Sequence, residues 1–320
     1  MSSDLPPKIS FVIPTYNREK KLNRLLESIA ISEIKSKYEV IVVDDSECET
    51  PIDGHIHSSL GDRLRLIRNV RRRFISSAKN IGWKNAQGKY VFFVDDDNVL
   101  PEGTVDTLSE TLDANTKIGA LMPVVYYEKK RDLVWVYSAP FVKGRWKFNL
   151  IGRNELEKEK PGIQFLPTDA LPNASMVRRG ILEATGGFDE SLPVNSSCDL
   201  CQKIKRLGYQ AYALGSASIY HDVTLPGTPG YWAEHASEDY ARRYYEVRDW
   251  FDLMSRLHHG EPFLPLKEFA RSFLFLVPVS SGILMHPTRR KQSLRLIYLS
   301  MLRGLVDGVK ISAGRHVPGH

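Results

Sequence analysis

The chain is poor in cysteine, has no long apolar run and carries no nucleic-acid motif, and each absence removes a class of protein. Only three cysteines occur in 320 residues, too few for a disulfide framework. Cys198 and Cys201 have C-x-x-C spacing, but there is no second pair for zinc and no thioredoxin-like flank, so they are expected on one helix face. No apolar run follows Met1, so neither a signal peptide nor an N-terminal anchor is expected, and a reducing cytoplasm fits best. The apolar stretch from Phe269 to Met285 is interrupted by Arg271 and Pro278 and falls short of the ~20 residues that cross a bilayer. A net charge of +6 brings nucleic acid into view, yet no strip of aromatics interleaved with arginine supports that partner. Repeats and low-complexity tracts are absent. The 42% of hydrophobic residues excludes disorder and suffices for one large α/β domain plus an appendage.

What is present begins at Gly88 to Asn98, an apolar strand that ends in Asp95, Asp96 and Asp97. Clustered carboxylates raise one another's pKa unless a cation compensates them, and a hard divalent ion held by one or two carboxylates plus phosphates is the simplest occupant. Two earlier strands end in the same way. Ile9 to Ile13 stops at Pro14-Thr15-Tyr16-Asn17-Arg18, where proline is read as closing the strand, and Tyr38 to Val43 runs into Asp44 and Asp45. Between them Leu22, Leu25, Leu26 and Ile29 recur at helical spacing. Further alternation of strand and helix predicts a mostly parallel sheet with helices on both faces. Ligands in such sheets bind beyond the carboxyl ends of the strands, so three polar strand ends should meet at one edge.

An ordered set of motifs resembles the family 2 glycosyltransferases, inverting enzymes of the GT-A fold that use nucleotide-activated sugars. Phe11 to Arg18 resembles the opening nucleotide-binding strand, Val42 to Ser46 the second, Ser77-Ala78-Lys79-Asn80 the helix start usually written Ala-Arg-Asn, and Val94 to Asn98 the Asp-x-Asp strand. Gly186-Gly187-Phe188-Asp189-Glu190, with Asp199-Leu200-Cys201 and Gly208-Tyr209 after it, resembles the acceptor-side segment. The resemblance implies a nucleoside slot from Pro14, Thr15, Tyr16 and Asn17 with Asp45 accepting from a base N–H. It implies Lys79 as a point charge on phosphate, Asp96 near the ribose, and Mg2+ or Mn2+ on Asp97, with Asp95 through water. His221, in Ile219-Tyr220-His221-Asp222, is a further metal candidate, and a capped loop histidine is the competing reading. Arg71-Arg72-Arg73 is read as solvated. A sugar-phosphate nucleotidyltransferase would need a Gly-rich loop where Pro14 to Arg18 stands.

The catalytic base departs from the pattern. Relatives usually read Glu-Asp-x-Asp where this chain reads Ser196-Ser197-Cys198-Asp199, and a serine cannot take a proton without a base of its own. Four explanations stand: Asp199 or Asp189 serves, a one-residue shift moves Asp199 into place, the acceptor is an already anionic polyprenyl phosphate, or the chain is a non-catalytic binding homologue.

The expected division is 1–224 for the catalytic domain and 225–320 for a helical region, opened by the breakers Leu225 to Gly230. Tyr240, Tyr244, Val247, Phe251 and Met254 form one helical stripe, and Tyr244-Tyr245-Glu246-Val247-Arg248-Asp249 resembles the Tyr-Tyr-x-x-Arg-Asn segment of rhamnosyl- and galactofuranosyl-transferase-like members, with Asp249 replacing Asn. Arg289, Arg290, Lys291, Arg295, Arg303 and Lys310 decorate a helix whose other face is Leu294, Tyr298, Met301, Leu305 and Val309. A basic amphipathic helix reads as membrane-surface binding, so a peripheral position on the cytosolic face, near a lipid-linked or glycan acceptor, is expected. Gly314 to His320 reads as a loose tail.

Overall fold

The computed structural model describes residues 6–69, 71–142, 147–157, 164–228, 240–257 and 291–312. Its first half alternates strand and helix: β1 Ile9–Thr15, α1 Glu19–Ile31, β2 Tyr38–Asp44, α2 Gly54–Leu60, β3 Leu64–Arg68, α3 Phe74–Lys84, β4 Tyr90–Val94, β5 Asn98–Val99 and α4 Thr104–Ala114. Then come β6 Ile118–Tyr127, β7 Lys130–Val136, β8 Phe141–Val142, β9 Lys147–Phe148, β10 Phe165–Pro167, β11 Ala174–Arg178, α5 Arg179–Thr185, α6 Ser196–Arg206 and β12 Gln210–His221. Two helices follow among the described residues, α7 Tyr240–Leu257 and α8 Lys291–Ser312.

The main sheet runs β10-β12-β6-β11-β4-β1-β2-β3, with β5 on β12 and β7 on β6. It is mixed. Strands β4, β1, β2 and β3 are parallel neighbours, and so are β6 and β12, whereas β11 is antiparallel to both β4 and β6. The parallel half is the part whose connections are helical crossovers, which parallel pairing requires. Strands β1 and β4 are buried along their whole length, which is why they read as continuous apolar runs, whereas the edge strand β3 is partly exposed. Helix α1 closes one face with Leu22, Leu25, Leu26 and Ile29, all fully buried.

Proline does not end β1. The strand pairs with β2 through Pro14↔Val43 to Thr15↔Asp44, while its ladder to β4 stops at Val12↔Phe93. The lost N–H is tolerated because pairing persists on one side only. That extension carries Thr15 out to the edge where β4 ends.

Contacts divide the chain into two compact units, Met1–Glu190 with Ser196–Val223, and Ser191–Asn195 with Thr224–His320. In the second unit α7 packs on α8. A Cβ on Gly304 would lie 2.4 Å from the Tyr244 carbonyl oxygen, so glycine permits the approach, and Tyr244 Oη donates to Asp307 Oδ2 at 3.0 Å. Leu305 is buried, as expected, but the exposed face of α8 mixes Leu299 and Val306 with Arg303 and Lys310. It is therefore not a purely basic face. Arg303 and Lys310 both pair with Asp307. Phe269 to Met285, Arg289, Arg290 and the tail from Gly314 lie outside the described residues, as do the side chains of Tyr240, Phe251, Met254, Lys291, Leu294, Arg295, Tyr298 and Met301.

Candidate active site

The ends of β1, β2 and β4 are joined by hydrogen bonds. Asp45 N donates to Thr15 O at 3.0 Å, and Thr15 Oγ1 donates to Asp96 Oδ2 at 2.7 Å. Of the two carboxylates after β2, Asp44 forms the turn, accepting Ser46 N at 2.9 Å and Thr50 N at 2.8 Å. Asp45 is buried and accepts Arg73 N at 2.9 Å and a hydrogen bond from Asn69. Burial raises its pKa against those hydrogen bonds and Arg72.

Arg18, absent from the expected site, proves central. Its Nη1 lies 3.0 Å from Asp96 Oδ1 and 2.9 Å from Asp97 Oδ2. Asp96 and Asp97 can share one guanidinium because they occupy the turn between β4 and β5, where strand alternation no longer separates neighbours. His221 reaches the same turn through tertiary structure: β5 pairs Asn98 with His221, and His221 Nε2 sits 3.4 Å from Asp97 Oδ1. Asp97 is thus flanked by two partners. Burial raises Asp96, despite Arg18 and Thr15. Burial opposes ionisation of Asp97 as well, but His221, Arg18 and Lys21 outweigh it and hold that carboxyl well below the usual range. Both groups are thereby tuned in opposite directions.

Asp95 points elsewhere. Its Oδ1 forms an ion pair with Lys79 Nζ at 3.0 Å, a contact whose angles do not make it a hydrogen bond. Lys79 is itself buried in α3, so it neutralises Asp95 here and is not a surface lysine. The Tyr16 ring is half-buried with the Arg72 guanidinium carbon 3.9 Å from its centre, and Phe74 stacks on the same group at 4.4 Å. Arg72 is therefore held between rings, against the expectation of a solvated triplet; Arg71 and Arg73 are exposed. Pro14 is buried within β1, and Asn17 is exposed with φ 54°, donating its N–H to Ser46 Oγ at 2.7 Å.

Could this edge hold a divalent cation? Among the described residues no group of three or more His, Cys, Asp or Glu side chains is placed to bind one. Asp97 and His221 face each other closely enough to share an ion, and His221 Nδ1 has no hydrogen-bond partner among the described residues. Two protein donors, with the rest from diphosphate and water, match the way hard cations bind beside phosphates. The residues fit such an ion, with Asp97 and His221 as ligands and Asp95 turned toward Lys79.

The remaining candidates lie around α3 and α6. Gly186 and Gly187 both have positive φ, 75° and 74°, and a Cβ on Gly187 would sit 2.4 Å from Trp83 Nε1. The paired glycines turn the chain so that Phe188 N donates to Asn80 Oδ1 at 3.0 Å and Asn80 Nδ2 returns to Phe188 O at 2.8 Å. Asp189 is half-buried beside this turn. In α6, Ser196 is buried against Ser76 with their hydroxyls 2.6 Å apart, Ser197 is partly exposed, and Asp199 is buried with Lys203 Nζ at 2.8 Å. Burial pushes the Cys198 thiol up to about 12 and raises Cys201 well above the ordinary thiol range, which leaves both inert as thiols.

A mixed sheet thus gathers acidic and histidine side chains at its strand ends. The family model described as "Glycosyl transferase family 2" matches residues 10–186, more than half of the chain, and the chain belongs to that family. It is 30% identical over 271 residues to "Uncharacterized glycosyltransferase YwdF" of Bacillus subtilis, covering 82% of this chain and 88% of that one. It is 33% identical over 106 residues to the "GalNAc(5)-diNAcBac-PP-undecaprenol beta-1,3-glucosyltransferase" of Campylobacter jejuni, 32% of this chain and 34% of the relative. Among solved structures, GalNAc-T7 with UDP, GalNAc and Mn2+ superposes with a TM-score of 0.57 at 16% identity, over 81% of this chain and 53% of that one, a likeness of fold. The chain spans 40%, 20% and 19% of the length of three further curated relatives that it matches.

Proposed function

We propose that the protein is an inverting, metal-dependent glycosyltransferase that moves a sugar from a nucleoside diphosphate sugar to a lipid-linked or glycan acceptor. The observation that carries the reading is the convergence of Asp96, Asp97, Arg18 and His221 on one turn. Asp45 and the Tyr16 ring bind the nucleobase, and Thr15 with Asp96 faces the ribose. Mg2+ or Mn2+, bound by Asp97 and His221, would neutralise the diphosphate leaving group. Arg18 is positioned to exchange a carboxylate for a phosphate oxygen, since its fork suits either. Fixed charges of this kind act where charge develops as the sugar–phosphate bond breaks.

Acceptor activation has two readings. Asp199 deprotonates an acceptor hydroxyl in the first. The Asp199–Lys203 pair favours a second, in which the acceptor is a phosphate that needs no base. The Campylobacter relative, whose name places its acceptor on undecaprenyl diphosphate, makes lipid-linked acceptors the first to try. No helix among the described residues is long and apolar enough to cross a membrane; the exposed Leu299, Arg303, Val306 and Lys310 of α8 suit an interfacial contact, which co-sedimentation with anionic vesicles tests. Transfer assays with a panel of sugar nucleotides, on hydroxyl and polyprenyl-phosphate acceptors with Mn2+ or EDTA, test the whole reading. Transfer to neither class would leave a nucleotide-sugar-binding protein without turnover, and transfer unaffected by EDTA would remove the metal.

A further inference from the structure

The Tyr244 to Asp249 motif lies outside the donor site, yet its polar side chains are committed to a specific stretch of backbone. Asp249 is completely buried. Its Oδ2 accepts the Val194 N–H at 3.1 Å, and the Asn195 N–H is directed at the same carboxylate. Its Oδ1 takes Arg248 Nε at 3.0 Å and Nη2 at 2.6 Å. Arg248 Nη2 donates in addition to Ser191 O at 2.5 Å, and the guanidinium stacks on Tyr245 at 4.6 Å. About two turns farther along α7, Arg256 Nη2 reaches Ser191 Oγ at 3.2 Å while Asp252 holds its Nε at 2.8 Å and the same Nη2 at 2.7 Å.

Both ends of Ser191–Asn195 are therefore tied to one helix. A buried carboxylate is a poor device for stability, because desolvation opposes its charge even when it is paired; burial pushes Asp249 up to about 6. What such a group supplies is geometry: two backbone N–H groups and a guanidinium fixed in one arrangement. The stretch so fixed leads directly into Ser196, Ser197 and Asp199.

We propose that Asp249 and Arg248 are positioning residues for the acceptor side of the site, setting the backbone of Ser191–Asn195 and hence the entry to α6. The inference rests on the reading that the start of α6 handles the acceptor. In the full chain, Asp249→Ala, Asp249→Asn and Arg248→Lys are compared with wild type by amide exchange of the peptide spanning 191–196, by calorimetry with UDP and GDP, and by acceptor kinetics. Asp249→Ala should speed exchange of that peptide by roughly tenfold or more and lower acceptor kcat/KM by about 10- to 100-fold, the usual scale for an ångström of misplacement, with nucleotide Kd unchanged. Asp249→Asn should recover part of both, since an amide oxygen still accepts from backbone N–H but loses the charge pair with Arg248. Unchanged exchange in Asp249→Ala would overturn the tether. Nucleotide affinity falling in step with acceptor kcat/KM would reduce the pair to general support of the fold. Wild-type protein that transfers to no acceptor would remove the acceptor role even where exchange reveals the tether, so the two failures are distinguishable.

Discussion

At the turn after β4, Asp96 and Asp97 share an arginine whose side chain is 40% exposed, whereas at the start of α6 Asp199 is paired with a lysine one turn along its own helix and Ser196 is buried on Ser76. The first arrangement can be traded for a ligand, because Arg18 reaches solvent, where it can take a phosphate, and leaves the carboxylates to a cation. The second is closed upon itself. A carboxylate motif seen in sequence therefore carries different weight in the two places: at the turn after β4 the charges face partners from separated segments, and at the start of α6 Asp199 faces a lysine of its own helix.

The largest effect expected tests the closed side. If Asp199 is the base despite Lys203, Asp199→Asn should lower turnover on a hydroxyl acceptor by about 10²–10⁴-fold, with donor affinity kept. If the acceptor is a polyprenyl phosphate, the variant should turn over nearly as wild type. Full activity on a hydroxyl acceptor removes Asp199 as the base and makes the contrast between the two regions complete.

At the turn after β4, Asp97→Asn takes a charge from between Arg18 and His221. Loss of one member of a buried charged set typically costs about 2–5 kcal/mol in binding, so Mn2+-dependent affinity for nucleoside diphosphate should fall by about 30- to 5,000-fold. Calorimetry with and without Mn2+ decides it; unchanged metal dependence would move the ion elsewhere.

The turn that links the two sides gives an intermediate effect on stability. Gly187→Ala places a methyl on Trp83 and Asn80 at positive φ, and strain plus overpacking should cost about 2–4 kcal/mol. Gly186→Ala has the same sign of φ but nothing within 4 Å, and should cost about 1–2 kcal/mol. Equal denaturation midpoints for the two variants would show that Asn80 and Trp83 yield.

The smallest effect is a pH slope. The Asp249 carboxyl is raised from 3.8 to about 6 by burial, in spite of Arg248 and the Val194 and Asn195 N–H groups. Between those two values the native state holds a proton that the unfolded chain has released, so this group's contribution to stability declines as pH rises from about 4 to 6 and is level above. Within the window the slope is on the order of 1 kcal/mol per pH unit. Asp249→Asn should lack it, and the difference in unfolding free energy between wild type and variant, followed from pH 7 to pH 5, measures it. A difference independent of pH would place the Asp249 pKa near its ordinary value.

Much of the candidate site at the ends of β1, β2 and β4 was legible in sequence. Apolar runs ending in Asp45 and Asp95 to Asp97 marked strand ends, and alternation with helices predicted that they would meet. The period of α1 was equally plain, because helix spacing is a local property. Pro14 misled: its effect on one ladder was legible, but continued pairing with β2 depends on a neighbour that the sequence of β1 does not reveal. The mostly parallel sheet was right for β1 to β4 and incomplete beyond, since β11 inserts antiparallel between β4 and β6 without a local mark of direction.

Strand-ending carboxylates, family motifs and apolar faces all rest on short-range periodicity and residue chemistry, and were readable before any fold. Which charge meets which depended on long-range packing. Arg18 joined Asp96 and Asp97 although a surplus of three carboxylates was the only hint that a nearby cation was needed; Lys79 turned to Asp95; Arg72 lay on Tyr16; His221 arrived at Asp97 through β5–β12 pairing; and Asp249 closed on Val194, 55 residues away. Burial makes those long-range pairings obligatory, because a charge taken out of water must find a partner wherever the fold brings one.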